Sequence, residues 1–180
     1  MNTHMKPKTK WKIGAVVVFA ALAILLPETV SAVWHVVHGR SVQFRAWKIT
    51  VPFEWYAVRR GEGMSLERMS RLSWQKNPVA TFLPVHFGPR YKFDYNVFDG
   101  VQEKLLHAQG YSSTGPQRDI HLGGQDGRCW TFTSKADREQ LWISCVVPKD
   151  LTSVDYIGPE AYANDFFSLL GNIERVAPGS

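Results

Sequence analysis

Both cysteines of the chain fall within one short stretch, residues 127–145, which reads GRCWTFTSKADREQLWISC. The two flanks of this stretch alternate apolar and polar residues, as half-buried strands do, and a polar segment around Asp137 separates them. If the turn is centred on Asp137, antiparallel pairing places Cys129 directly opposite Cys145. The stretch therefore predicts a β-hairpin, and with it an antiparallel sheet.

The pairing decides what the two cysteines do. Directly opposed cross-strand residues have Cβ atoms about 4.5–5.5 Å apart, close to the separation that a disulfide needs. Redox pairs usually stand as Cys-x-x-Cys at a helix start, and the strand neighbours offer no further metal ligands. We predict a structural disulfide between Cys129 and Cys145, with two buried free thiols as the alternative. A bridge over about 15 residues is expected to stabilise the domain by ~3 kcal/mol.

The N-terminus has the three-part layout of a secretory signal peptide. Four lysines precede a wholly apolar run of 14 residues, 13–26. Pro27 follows, and the small residues Val30 and Ala32 occupy the positions that a signal peptidase prefers. The apolar run is shorter than the ~20 residues that a helix needs to cross a bilayer.

These features predict a signal peptide of residues 1–32, cleaved before Val33. The alternative is a membrane anchor over about residues 11–33, which would hold the body outside the cytoplasm as a single-pass membrane protein. Both interpretations export the domain, to the periplasm or beyond the cell. An exported domain meets the oxidising environment in which disulfides form.

The remaining residues, 33–180, suit a single globular domain, because about 150 residues bury roughly 70% of their unfolded surface. Period-two segments fill most of it, and two segments, 94–110 and 158–175, have apolar residues at helical spacing. The order is strands, a helix, a strand meander and a last helix. This order predicts an α+β domain in which helices pack on an antiparallel sheet, as an α/β/α sandwich.

Charge is unevenly placed along the body. The leader accounts for three of the five net positive charges, so the body carries only +2 and gives no support for nucleic-acid binding. Residues 33–93 hold 10 basic and 3 acidic side chains, whereas residues 94–180 hold 7 and 12. Either the two halves attract one another, or the basic half forms a partner-binding surface for an envelope protein, an anionic lipid or a polymer. The residues of this candidate surface are Arg59, Arg60, Arg68, Arg71, Trp74 and Lys76.

Three segments resemble the PsbP-like superfamily of α/β/α sandwiches. They are WKITVPFEW at 47–55, HLGGQDGRCWTF at 121–132 and AYANDFFSLLGNIER at 161–175. The resemblance implies that fold. It further implies an exported or lumenal protein and a binding or assembly role more often than an enzymatic one. It implies no catalytic residues.

Catalytic motifs are absent from the sequence. It contains no Gly-x-Ser-x-Gly elbow, no phosphate-binding glycine loop and no His-Glu-x-x-His helix. His35 and His38 are three residues apart but have no carboxylate or cysteine nearby in sequence, so no metal site is predicted. We therefore predict an exported, non-catalytic binding or assembly module of the cell envelope, without a cofactor. An envelope enzyme of hydrolase type is the alternative.

Overall fold

The computed structural model describes residues 29–68, 77–85 and 93–176 of the chain. Residues 29–38 are helical and are called α1 here. The other helices are α2 (Tyr95–Ala108) and α3 (Ala163–Gly171), with short 3-10 turns at Pro148–Asp150 and Glu160–Tyr162. The strands are β1 (Ser41–Phe44), β2 (Trp47–Thr50), β3 (Trp55–Arg60), β4 (Gly63–Arg68), β5 (Val79–Pro84), β6 (Tyr111–Ser113), β7 (Arg118–Leu122), β8 (Gln125–Ser134), β9 (Gln140–Val147), β10 (Thr152–Pro159) and β11 (Ile173–Arg175).

A large antiparallel sheet forms the centre of the domain. Its strand order is β3-β4-β5-β10-β9-β8-β6, and β7 pairs with the first half of the long strand β8. Most neighbours in this order are joined by hairpins, while β10 enters between β5 and β9 and so brings the two halves of the chain together. A second sheet has the order β1-β2-β11, so the last described strand pairs with the first β-hairpin.

The predicted β8–β9 hairpin is present in the predicted register. Cys129 lies directly opposite Cys145, and Phe132 lies opposite Trp142. The backbone amide of Gln140 closes the turn by donating to the carbonyl oxygen of Asp137 at 3.0 Å. The turn position read from the polar residues thus sets the pairing of the whole hairpin.

The two faces of the large sheet are covered differently. On one face, Phe82 packs against Trp47 of the small sheet, and Tyr156 stacks on Phe166 of α3, with ring centroids 5.1 Å apart. On the other face, Leu106 of α2 is buried in a cluster with three residues of β8 and β9. The domain is therefore α+β, with helices packed on antiparallel sheets, as predicted. Each fully buried large apolar side chain contributes about 1.5–3 kcal/mol to this arrangement.

Two details differ from the sequence prediction. The apolar stripe expected to continue through the last helix ends early, because α3 stops at Gly171 and Ile173 lies in β11, opposite Ile49 of β2. In α2, the stripe of Val97, Val101 and Leu105 is about half exposed, and the helix instead buries Leu106. Helical spacing alone therefore does not show which apolar side chains of α2 face the sheet.

The predicted signal peptide lies almost wholly outside the described residues, which include only positions 29–32 of it. Within the described ranges, no helix has the length and apolar character needed to cross a membrane.

Candidate binding cleft

The helix α1 is attached to the body through side chains on one of its faces. Ser31 is buried, and its hydroxyl donates to the carbonyl oxygen of Trp55 at 3.1 Å and also contacts the carbonyl oxygen of Phe53. One turn later, the indole nitrogen of Trp34 donates to the carbonyl oxygen of Ala57 at 3.0 Å. Residues three and four apart share a helix face, so these bonds fix the orientation of α1 on β3 and the loop before it.

A cleft of about 350 Å³ opens beside this contact. The rings of Trp34 and His38 are stacked at 5.1 Å and contribute to its wall. Strands β1, β3 and β4 supply the rest of the lining. The lining residues are Trp34, His38, Ser41, Val42, Gln43, Ala57, Arg59 and Met64. Its volume lies at the lower end of the range for ligand sites in proteins, ≈ 300–1,000 Å³.

Arg59 brings a positive charge to this cleft. Its side chain is exposed and approaches the carbonyl oxygen of Gln43 at 3.5 Å. Among the residues that the structure describes, no carboxylate forms an ion pair with it. Its neighbour Arg60 lies on the opposite face of β3, where it pairs with Glu67 at 2.6 Å. Of these two adjacent arginines, Arg59 is therefore the one available to an anionic ligand.

Arg68 is engaged inside the protein. Its guanidinium forms ion pairs with Glu54 and, at 3.0 Å, with Asp165 of α3. It also lies 4.3 Å from the ring centroid of Tyr162, within cation–π range. Of the described members of the candidate surface, Arg59 lines the cleft, Arg60 lies on the opposite face of β3, and Arg68 forms ion pairs within the domain. The remaining members, Arg71, Trp74 and Lys76, lie outside the described residues.

Sequence reasoning missed most of the cleft. It noted His38 for its spacing from His35, but as a candidate metal ligand rather than as an aromatic wall. The useful signal was the pair of Trp34 and His38 at positions i and i+4, which places two rings on one helix face. The contribution of Gln43 and Met64 could not be read from the sequence, because it depends on how β1 and β4 meet α1.

His38 and Ser41 are the cleft residues with side chains that could take part in chemistry. His38 Nδ1 lies 3.2 Å from the carbonyl oxygen of Trp34, which orients the ring without a carboxylate partner. Ser41 lines the same cleft, but no hydrogen bond joins it to His38 among those of the described residues. Likewise, the described part of the chain contains no cluster of three or more His, Cys, Asp or Glu side chains suited to a metal ion.

A second cleft, of about 310 Å³, lies where the β1–β2 turn meets the turn before β10. Arg45 and Leu151 both have positive φ there, at 54° and 47°, and the Arg45 guanidinium donates to the Leu151 carbonyl oxygen at 2.9 Å. Trp47 and Arg175 both donate to the carboxylate of Asp150, at 2.8 and 3.0 Å. Because its polar groups already bond to one another, this cleft is the weaker candidate for a ligand site.

A polar row crosses the large sheet on the face that α2 partly covers. Ser65, Thr81, Asp155 and Ser144 lie opposite one another on β4, β5, β10 and β9. Part of Asp155 is exposed, but its carboxyl group is enclosed by protein, and this burial raises its pKa. The indole nitrogen of Trp142 donates to the carboxylate at 3.3 Å and opposes the rise.

The cysteines form the predicted bond. Cys129 and Cys145 are joined in a disulfide, and both are buried in the main core. Neither sulfur is accessible to a redox partner at the surface, so the bridge is structural. Trp47, Trp55 and Trp130 are also buried core residues.

Comparison with known proteins gives a likeness of fold. No protein-family model matches the chain, and no curated protein matches it. Among solved structures, the chain is similar to cyanobacterial PsbP from Synechocystis, with a TM-score of 0.49 and 10% sequence identity. The match covers 72% of this chain and 86% of that chain. The matched protein is a PsbP, the family that the three sequence segments resemble.

Proposed function

We propose that the chain is an exported, non-catalytic binding or assembly module of the cell envelope that holds an anionic group of its partner in the α1 cleft. The observation that carries the proposal is Arg59, an arginine without an ion pair among the described residues, beside the stacked rings of Trp34 and His38. The other described arginines of the candidate surface, Arg60 and Arg68, both form ion pairs with carboxylates.

The combination suits recognition of a carboxylate or phosphate. An arginine offers a planar fork of donors that matches either group in two parallel hydrogen bonds. Aromatic residues and arginine are enriched at the centres of interfaces, where they supply most of the binding energy. An acidic side chain of an envelope protein fits the size of the cleft, and anionic lipid or polymer carries the same chemistry.

Two features support export. The leader has the layout of a secretory signal, and the disulfide belongs to an oxidising compartment. The two are independent, because one is read from residues before the body and the other from the core.

A hydrolase is the second candidate, since Ser41 and His38 line the same cleft. A serine nucleophile needs a base within hydrogen-bond reach, and that base is usually oriented by a carboxylate. Here the orienting group of His38 is a backbone carbonyl, and no hydrogen bond links the two side chains in the part of the chain that is described. The arrangement therefore favours binding.

The test uses the full chain, isotopically labelled and held in neutral detergent micelles, with three probes: poly-glutamate, dextran sulfate and short-chain phosphatidylglycerol. We expect at least one probe to shift the NMR signals of the Trp34 indole and the Arg59 side chain. These shifts should weaken as salt rises, because exposed charges are screened beyond about 8 Å at physiological strength.

Matched variants give the control. Arg59→Glu should abolish the shifts, whereas Arg60→Glu on the opposite face and Lys104→Glu on α2 change the net charge equally and should preserve them. The strongest probe identifies the partner class: acidic protein, polymer or lipid. Equal loss of binding in all three variants would show attraction to net charge alone and overturn the proposal. Ester hydrolysis that disappears in Ser41→Ala would favour the enzyme instead.

A further inference from the structure

The outer face of α1 is apolar and exposed. Val33, Val36 and Val37 expose 61%, 87% and 68% of their surface, and their spacing of three and one residues places them on one side of the helix. Phe53, in the loop before β3, is 67% exposed. Its ring stacks on that of His35 at 5.5 Å, so it lies beside the same helix.

This face is fixed outward. Ser31 and Trp34 bond to the body from the other side of α1, and His35 Nε2 lies 3.1 Å from the carbonyl oxygen of Pro52. Rotating the helix to bury the valines would break these contacts. The apolar face must therefore meet something other than its own domain or remain exposed to water.

The sequence before α1 indicates which kind of surface the apolar face meets. The apolar run ends at residue 26, and two residues separate it from residue 29, where α1 begins. An apolar run after a cluster of lysines is a segment that enters a lipid bilayer, whether as a signal or as an anchor. A helix that follows it so closely starts at the bilayer surface, and an apolar face there meets the boundary between head groups and acyl chains.

We propose that α1 is retained in the mature protein and lies on a bilayer surface, with Val33, Val36, Val37 and Phe53 inserted between the lipids. Amphipathic helices at such surfaces bury their apolar face by about 5–10 Å. The bond between Ala32 and Val33 lies inside α1, one residue after Ser31 and its tertiary hydrogen bonds. Cleavage there would remove a buried contact of the folded domain, so retention and the membrane contact go together.

This arrangement places the α1 cleft close to the membrane, because Trp34 and His38 belong to the same helix as the valine face. The inference does not depend on the anionic partner. It would stand if the cleft proved to bind nothing.

The test is spin-label accessibility in the full chain, reconstituted into vesicles of phosphatidylcholine and phosphatidylglycerol. The native cysteines are joined in a disulfide, so a label attaches to a single introduced cysteine. Val36→Cys reports the proposed contact. Val101→Cys is the matched control, because Val101 is a half-exposed valine of α2, on the other side of the large sheet.

We expect the label at position 36 to collide several-fold more with oxygen, which concentrates in lipid, than with a water-soluble nickel complex. The label at position 101 should show the reverse. Equal access of the nickel complex to both labels would overturn the proposal. So would close label-to-label distances between two copies at position 36, which would assign the face to a second copy of this chain. An intact mass beginning at Val33 in natively exported protein would overturn it as well.

Discussion

Arg68, at the end of β4, donates a hydrogen bond to Asp165 of α3, with 3.0 Å between Nη1 and Oδ2. The two residues are 97 positions apart and belong to the basic and acidic halves of the chain. The side chain of Arg68 is 18% exposed, and Glu54 and the ring of Tyr162 also contact its guanidinium. At this position, a basic residue of the first half pairs with an acidic residue of the second half, so opposite charges hold the two halves together.

The first prediction concerns this contact. Arg68→Ala should lower the free energy of unfolding by about 1–3 kcal/mol, because it removes charge-assisted hydrogen bonds and leaves two carboxylates without their partner. Arg59→Ala, which removes an exposed arginine without an ion pair among the described residues, should change it by about 0.5 kcal/mol or less. Urea unfolding of the two variants measures both values. Equal effects would show that the Arg68 contacts add nothing to stability.

The hairpin shows where sequence reasoning succeeds. The positions of Cys129 and Cys145 follow from one local feature, the polar turn at Asp137, and from the fixed period of a strand. Local rules also place α2, since Asp94 accepts a hydrogen bond from the Asn96 amide and caps the helix. Both features depend on residues that are close in sequence.

The second prediction is the contribution of the disulfide. The bridge closes a loop across a sequence separation of 16 residues, so the double variant with serine at both positions should lose ~3 kcal/mol in the chain-entropy model. Reduction of the native protein should have a similar effect, while the double variant should not respond to reductant. Urea unfolding with and without dithiothreitol provides the comparison. Two free thiols in a non-reducing peptide map of exported protein would contradict the bridge.

The third prediction concerns alkaline pH. Tyr56 donates to a carboxylate oxygen of Glu67 at 3.0 Å, and burial together with that carboxylate raises its pKa from 10.0 to about 12. The folded state therefore holds this proton more tightly than the unfolded state, and the resulting stability is present below pH 10 and lost as pH rises to about 12. Tyr56→Phe should be less stable by about 0.5–1.5 kcal/mol at neutral pH.

The variant should approach the wild type as pH nears the raised pKa of Tyr56. Urea unfolding at a series of alkaline pH values follows this convergence. Burial also raises the pKa of Tyr95 and Tyr156, so tyrosinate absorbance should show one late-titrating tyrosine fewer in the variant than in the wild type. A constant difference between the two proteins at every pH would contradict the assignment.

The fourth prediction concerns Asp155. Burial raises the pKa of its carboxyl group, so the stability that the proton confers is complete below the ordinary aspartate range and is lost as pH rises through the raised value. Asp155→Asn keeps an oxygen that can accept from Trp142 and removes the charge. We expect this variant to be more stable than the wild type at neutral pH and to lose that advantage in acid. A destabilised variant at neutral pH would show that the charge itself is needed.

The cleft shows where sequence reasoning stops. Its wall comes from α1, and the sequence prediction divided that helix between a leader ending at residue 32 and the body, because the apolar run and the small residues at 30 and 32 match a signal peptide. Whether α1 packs on the body depends on carbonyl groups of the β2–β3 loop and β3, which no local pattern reveals. Arg59 was found by its charge, but its lack of an ion partner depends on which face of β3 it occupies.

The last prediction tests whether α1 belongs to the folded domain. Trp34 bonds to the carbonyl oxygen of Ala57 through its indole nitrogen, whereas Val36, on the outer face, is 87% exposed. Trp34→Phe removes that donor and part of a packed ring, so it should lower the free energy of unfolding by about 1–3 kcal/mol. Val36→Ser should change it by about 0.5 kcal/mol or less. Urea unfolding of the full chain in neutral detergent compares them. If both variants matched the wild type, α1 would not be part of the cooperative unit, and the cleft that it walls would not be a fixed feature of the domain.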